Sequence, residues 1–257
     1  MCATCGCGDD AGVRVTTVGH GQHGHGPDQH EHGPDHHHAE PDSGHTVVLE
    51  QQILAKNDDV AEHNRAWLAA RELTMINLMS APGSGKTTLL ERTIREADFP
   101  LAVIEGDQET LVDAHRIEAT GCPVVQINTG SGCHLDAAMT ARGLRALEPR
   151  PRSVIMVENV GNLVCPGLFD LGESKRVVIV STTEGPDKPL KYPQMFRGAH
   201  LVIVTKVDLL PHLDVTLQQI TASVRAVNPG ADLLAVSATR GHAMGQWYKW
   251  ITDHRGK

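Results

Sequence analysis

From residue 47 onward, short apolar runs alternate with longer stretches of helical periodicity. The runs at residues 75–79, 101–104, 124–127, 154–157, 177–180, 201–204 and 233–236 are four or five residues long and rich in Val and Ile, as expected of strands buried on both faces. Val48, Leu49, Ile53, Val60, Trp67 and Leu68 recur at roughly helical spacing, which predicts one or two helices over residues ~46–71. Strands separated by helices need right-handed crossovers, so the pattern predicts an α/β fold: a mostly parallel sheet with helices on both faces. No internal repeat is visible, and residues 46–257 are expected to form one domain.

Residues 1–45 follow a different pattern. Between Gly19 and Gly44 there is no Leu, Ile, Val or aromatic residue, only Gly, His, Pro and polar or acidic residues with one Ala. Such a stretch cannot bury enough apolar surface to offset the entropy of ordering, so a disordered tail is expected. The tail carries seven carboxylates against Arg14, a net −6 of the −8 of the 257-residue chain. Nine of the 16 histidines (His20, His23, His25, His30, His32, His36, His37, His38 and His45) also lie there, and neutral imidazoles suit Ni, Cu and Zn ions. No apolar run approaches the ~18–20 residues of a membrane span, and no basic-then-apolar leader opens the chain. An acidic balance without a basic stripe argues against nucleic acid. A cytoplasmic setting is expected, where six cysteines point to metal or redox chemistry rather than disulfides.

The run Met75-Ile76-Asn77-Leu78-Met79 leads into Ser80-Ala81-Pro82-Gly83-Ser84-Gly85-Lys86-Thr87-Thr88 and then an apolar helix. A strand, a Gly-rich loop and a helix start are the context of a P-loop. Gly83 and Gly85 let the N–H groups of Ser84 and its neighbours turn towards phosphate, Lys86 is expected on the β/γ-phosphates, and Thr87 on Mg²⁺. The pattern has Gly first, where this chain has Ser80. Thr205-Lys206-Val207-Asp208 after a later strand looks like the N/T-K-x-D element of GTPases, in which the Asp carboxylate accepts from guanine and the Lys stem packs on the base. Ser237-Ala238-Thr239 ends another strand like the loop that contacts the guanine carbonyl. Order and placement favour GTP over ATP. Asp107 and Glu158 each close a strand at the carboxyl edge, where ligands bind. Asp107 is expected to ligate or neighbour Mg²⁺, and Glu158 to contact it through water or orient the attacking water. With no identifiable water-positioning glutamine, slow hydrolysis is expected.

Two cysteine constellations have metal-ligand spacing. Cys2, Cys5 and Cys7 form C-x-x-C-x-C, with Gly6 and Gly8 relieving the backbone, and soft thiolates there favour square-planar Ni(II) or tetrahedral Zn(II). Cys133-His134 and Cys165 follow strands expected to neighbour one another; together they would make a borderline-soft site with an open fourth position. Cys165 shares a loop with Glu158, so nucleotide state could alter metal affinity mechanically. Cys122 reads as a packed loop thiol.

Together these residues resemble the HypB family of GTP-dependent nickel-insertion proteins of NiFe-hydrogenase maturation. The likeness covers most of the chain: the Cys2/Cys5/Cys7 motif, the His-rich segment, the P-loop, Glu105-Gly106-Asp107, Gly132-Cys133-His134-Leu135, the segment 158–166, the segment 184–193 and 205–208. The resemblance implies a SIMIBI-type P-loop GTPase that pairs face to face on binding GTP. It implies a metal site of Cys133, His134 and Cys165 at the dimer interface, holding Ni²⁺ or Zn²⁺, and a high-affinity nickel site at Cys2, Cys5 and Cys7. It further implies two partners, the hydrogenase large-subunit precursor and a HypA-type nickel/zinc chaperone. Many SIMIBI relatives carry an extra P-loop lysine that Ala81, Pro82 and Ser84 do not supply, which leaves Lys188 or Lys191 for that role. Two other readings stay open: a urease-type nickel-insertion GTPase, although that family's Cys-Pro-His motif stands here as Cys122-Pro123-Val124, and a nickel-storage protein.

Overall fold

All seven expected strands form, with ends shifted by a few residues, in a computed structural model that describes residues 14–17 and 43–256 except 109 and 131. In chain order the elements are β1 (Arg14–Thr17), α1 (Ser43–Ala69), β2 (Thr74–Ser80), α2 (Lys86–Glu96), β3 (Leu101–Asp107), α3 (Val112–Glu118), β4 (Val124–Asn128), α4 (Ala137–Leu147) and β5 (Val154–Glu158). There follow β6 (Lys175–Ser181), α5 (Lys188–Lys191), α6 (Pro193–Arg197), β7 (Leu201–Thr205), α7 (Leu217–Val227), β8 (Asp232–Ala235) and α8 (Met244–His254). The sheet order is β1-β4-β3-β5-β2-β6-β7-β8, parallel throughout except for β1, which runs against β4.

Successive strand side chains point to opposite faces, and the helices divide accordingly. Ile76, Leu78, Val103, Met156, Ile179 and Ile203 face Leu89 and Leu90 of α2, Ile117 of α3 and Trp247 and Ile251 of α8. On the other face, Met75, Ile104, Ile127 and Ile155 meet Leu68 of α1 and Leu144 of α4, while Val178, Val180, Val202 and Val204 meet Phe196 of α6 and Ile220 and Val224 of α7. Trp247 is fully buried because its indole N–H finds Thr93 Oγ1 at 2.9 Å, which removes the usual cost of burying that group.

Two findings revise the expected organisation. The helix ahead of β2 is one continuous element, α1, and it begins at Ser43. Within the segment expected to lack order, Arg14–Thr17 adds a strand to the sheet edge, where half-buried Val15 packs on the core. One apolar residue on an otherwise polar strand is too weak a period-2 signal to detect. Cys2, Cys5, Cys7 and the histidines from His20 to His38 lie outside the described residues.

Helix α1 is more than a cover for the sheet. Asn57 donates to the carbonyl of Asp170 at 2.8 Å and accepts from Ala137 N at 2.9 Å. Asn64 donates to the carbonyls of Ala137 (2.8 Å) and Leu171 (2.9 Å), and Arg65 makes a two-pronged contact with Asp170 at 3.0 Å. These bonds clamp the start of α4 and residues 170–171, the segments that flank the two cysteine loops. Asn64→Ala would remove the buried donor that Ala137 and Leu171 share, so it is expected to cost about 2 kcal/mol. Urea unfolding checks this; an unchanged midpoint would mean that the clamp contributes nothing.

Candidate functional site

The loop between β2 and α2 has the backbone that its glycines permit. Gly83 (φ +73°) and Gly85 (φ +95°) adopt left-handed conformations that other residues enter only with strain. Gly85 caps α2 without any side-chain hydrogen bond, so the first N–H groups of α2 are left to an anion. Lys86 Nζ donates to Ser80 Oγ at 2.9 Å; the serine in the first motif position gives the lysine a resting partner that glycine could not. Thr87 Oγ1 donates to Glu158 Oε1 at 2.7 Å, across to the end of β5. The loop opens on a cleft of about 500 Å³ lined by Thr88, Glu105, Asp107, Gln108, Arg116 and Glu158 among others.

Two carboxyls share the floor of this cleft. Glu105 and Glu158 occupy paired positions on β3 and β5, and each is 3% exposed with its Oε2 lacking a hydrogen-bond partner. Burial, then the neighbouring Glu158 charge, pushes the Glu105 carboxyl up to about 9. Burial also raises Glu158, to about 7, against the opposing pull of Lys86 and the Thr87 hydroxyl. Burial holds Lys86 below the ordinary lysine range. Buried acceptors without donors beside a threonine hydroxyl fit a divalent cation, which would supply the missing charge. Asp107 lines the same cleft, but its carboxylate is turned onto its own loop, accepting from Gln108 N (2.7 Å), Thr110 N (3.2 Å) and Thr110 Oγ1 (2.6 Å).

The segments expected to read the base tie into the loop between β2 and α2. Lys206, itself left-handed (φ 57°), donates to the carbonyl of Gly83 at 2.7 Å, and Thr205 Oγ1 donates to the carbonyl of Ser84 at 2.6 Å. Asp208 keeps a buried Oδ1 with no partner, an acceptor suited to the N–H donors of guanine. Ser237 is fully buried, and Arg92 of α2 holds the Ala238 carbonyl at 2.6 Å. Ser84 Oγ bonds Glu184 at 2.7 Å, which brings the segment 184–193 against the P-loop. Of its two lysines, Lys188 lies over Tyr192 (5.4 Å) and lines the neighbouring cleft, whereas exposed Lys191 pairs with Asp187 at 2.6 Å.

That neighbouring cleft, about 320 Å³, is lined by Pro82, Gln108, Cys133, Gly161 and Lys188 among others. At its edge the ligand atoms of Cys133, His134 and Cys165 lie within 4.8 Å of one another. The two sulfurs are 2.9 Å apart, and Cys133 Sγ is 3.6 Å from His134 Nδ1. His134 is buried, its ring stacked on Phe169 at 3.9 Å, and burial holds its pKa below the ordinary histidine value, which favours the neutral, ligating form. The parent strands β4 and β5 are not neighbours as expected; β3 lies between them, and the loops converge above its end. Cys122 is elsewhere, bonded to the carbonyls of Leu101 and Pro123, with burial pushing its thiol up to about 11. Cys122-Pro123 therefore has no part in the metal cluster.

Several participants were not singled out in the sequence, although Asn159 and Asn162 lie in the segment 158–166 that carries the family likeness. Gln108 reaches from the nucleotide cleft to the carbonyl of Gly132 at 3.2 Å. Asn159 accepts from Leu135 N (3.2 Å) and Val160 N (2.9 Å) and donates to Asn77 (3.2 Å). Asn162 donates to the carbonyl of Cys133 at 3.2 Å. Arg116 is held by Asp113 (3.0 Å) and Glu91 (2.8 Å) in the cleft wall. Contacts between distant segments give these residues their individual roles.

The nucleotide-binding domain profile of the CobW/HypB/UreG family matches residues 74–235, and the hydrogenase maturation factor HypB of Azotobacter chroococcum is 55% identical over 212 residues, 82% of this chain and 70% of that protein. The chain belongs to the HypB family. A crystal structure of HypB from Helicobacter pylori in complex with nickel superimposes with a TM-score of 0.74 at 35% identity, covering 78% of this chain and 95% of that one. HypB from Archaeoglobus fulgidus gives 0.73 at 36% identity, covering 78% and 98%. Among the described residues, no helix is long and apolar enough to cross a membrane.

The Glu105–Glu158 carboxyl pair makes stability depend on pH with a definite sign. Glu105 and Glu158 have folded pKa values raised above the unfolded value, so the folded state holds protons that the unfolded state releases. Stability is then full below about 4.5 and falls as pH rises through about 7 to about 9. Thermal unfolding of the nucleotide-free protein should show a falling Tm from pH 5 to pH 9, with a shallower fall in Glu105→Gln; equal slopes would refute the assignment. Phe169→Ala, which frees the His134 ring, is expected to weaken Zn²⁺ or Ni²⁺ binding at the cluster by about tenfold, with Phe169→Tyr restoring it. Equal affinities in equilibrium titrations of both variants would show that the ring is held otherwise.

Proposed function

We propose that this protein is a GTP-hydrolysing nickel metallochaperone that delivers or inserts Ni²⁺ during NiFe-hydrogenase maturation, with a GTP-dependent homodimer gating metal transfer. The observation that carries this reading is the convergence of Cys133, His134 and Cys165 on a loop whose other end, Glu158, bonds the P-loop Thr87. Gly83, Ser84, Gly85, Lys86, Thr87 and Thr88 hold the phosphates, while Lys206, Asp208, Ser237 and Ala238 read guanine. Thr87 and Asp107 would hold Mg²⁺, with Glu158 contacting it through water or orienting the attacking water; a bound ion would supply positive charge to the phosphate oxygens. To take part, the Asp107 carboxylate leaves Thr110, and the loop it releases is the one that Gln108 ties to Gly132. Nucleotide state thereby reaches Cys133 as a difference in affinity between two loop arrangements.

Exposed Leu111, Val112, Val164, Leu168 and Leu190 belong to the segments that follow β3 and β5 and to α5. Val164 lines the cleft beside Cys133, and this exposed apolar set supports a second copy closing over the molecule when GTP is bound. Lys188 is the better candidate of the two lysines for reaching across, because it lines the cleft beside Cys133. The cargo site accepts Ni²⁺ or Zn²⁺ with two thiolates and one imidazole, which leaves a position for the next carrier. The partners are the hydrogenase large-subunit precursor and a HypA-type chaperone, with Cys2, Cys5 and Cys7 as a further nickel site and the cytoplasm as setting.

Equilibrium Ni²⁺ titrations with GDP and with a non-hydrolysable GTP analogue test the coupling. The two nucleotides should give affinities at least fivefold apart in the wild type, with the difference lost in Cys133→Ala; identical affinities in the wild type would end the gating proposal. Lys86→Ala is expected to lower single-turnover GTP hydrolysis by at least 100-fold and to abolish hydrogenase maturation. If that variant still matures hydrogenase, the GTPase is not the working part.

A further inference from the structure

Arg92 joins the helix that follows the phosphate loop to the turn between β8 and α8. It stands on α2, six residues after Lys86. Its Nη1 donates to the carbonyl of Ala238 at 2.6 Å and, over a longer 3.4 Å, to that of Thr239. The guanidinium is itself held in place. Glu96, one helical turn further on, pairs with it at 2.7 Å, and the hydroxyl of Tyr248 on α8 donates to the other Glu96 oxygen at 2.8 Å. Gly241 leaves room for the contact: it is left-handed (φ +76°), and a Cβ there would stand 2.7 Å from Arg92 Nη2, an approach that only glycine allows.

The turn lies beside the acceptor expected to read guanine. Strands β7 and β8 are parallel neighbours, so the segments after them emerge at one edge, and Val207 N donates to the Val236 carbonyl at 3.3 Å. Asp208, with its buried and partnerless Oδ1, follows Val207 directly. The turn closes on itself through Ser237 N to the His242 carbonyl and Arg240 N to Ser237 Oγ, both at 3.2 Å. Neither bond uses the N–H of Ala238 or Thr239. A donor there suits the 6-carbonyl of guanine and opposes the 6-amino group of adenine, itself a donor.

We infer that Arg92 is a positioning residue for base recognition, fixing the 237–241 turn to α2 so that its N–H groups select a 6-oxopurine at a set distance from the phosphate loop; this rests on the guanine reading above. An arginine suits the task because its planar fork holds the Glu96 carboxylate and a backbone carbonyl at once. Without it the turn would keep its N–H groups, but the nucleotide would have to order them on binding, and that cost lowers affinity.

Equilibrium titrations of the full chain with GDP, ADP, IDP and 6-thio-GDP separate the contacts. IDP lacks only the 2-amino group that Asp208 would take. 6-Thio-GDP keeps that group and the N1–H but carries sulfur, a weak acceptor, in place of the 6-oxygen. The wild type should prefer GDP to 6-thio-GDP about fivefold, the worth of one hydrogen bond. Arg92→Met keeps a stem on α2 and removes the donors; it should bring that preference below twofold and leave the preference for GDP over IDP unchanged. Arg92→Lys returns a donor and should restore part of the lost preference. The inference is overturned if Arg92→Met keeps the wild-type preference, if it weakens GDP, IDP and 6-thio-GDP by one common factor, or if Arg92→Lys binds no differently from Arg92→Met. A wild type that favours GDP over ADP yet binds 6-thio-GDP equally well would overturn it too. GDP bound no more tightly than ADP would instead end the guanine reading itself, and with it any base-reading role for Arg92.

Discussion

Two carboxyls and one lysine buried at the mouth of a parallel sheet constrain the rest of the molecule. Glu105 and Glu158 sit side by side on β3 and β5, with Lys86 close enough to act on both and too little water to screen any of them. Taken out of water, such groups are tolerable only when hydrogen-bonded or paired with opposite charge. Burial accordingly raises both carboxyls above the ordinary range, and Lys86 rests on Ser80. A cation and a phosphate would complete such a cluster, and two loops are attached to it.

What is attached is specific. Glu158 closes β5, and the chain then runs through Asn159 and Asn162 to Cys165. Asp107 closes β3, and Gln108 beside it reaches the loop of Cys133. Asn159 bonds both the Cys133 loop and Asn77 in the middle of the sheet, while Asn162 holds Cys133 itself. Each link is a single hydrogen bond worth little alone, but together they leave few ways to move one loop without the other. Opposite them, α1 fixes the far ends of both loops through Asn57, Asn64 and Arg65. The Cys133/His134/Cys165 cluster is held between the α1 clamp and the edge that carries Asp107 and Glu158.

Much of this was legible in the chain order. The seven core strands and the P-loop follow from local apolar periodicity and from glycines whose backbone freedom is needed on the spot, and Cys133, His134 and Cys165 announced themselves by residue type. The order of strands across the sheet was not legible, so β4 and β5 passed for neighbours when β3 separates them. Nor was the role of Glu105, an acid that on sequence grounds differs from a capping residue only by its two-residue distance from Asp107. β1 escaped notice because a single valine gives no periodicity; its pairing is decided by an open edge on β4, which lies more than 100 residues away.

By itself the sequence determined which pieces exist: alternation of period fixes strand and helix, and the phosphate loop is read from side chains within a few positions of one another. Only the tertiary structure decided how those pieces act on each other. Burial that raises two carboxyls, a strand that enters from the reverse direction and a glutamine that spans two clefts are all contacts between segments far apart in the chain. Local propensity is blind to such contacts because their energies arise only when the sheet brings the segments together and excludes the water between them.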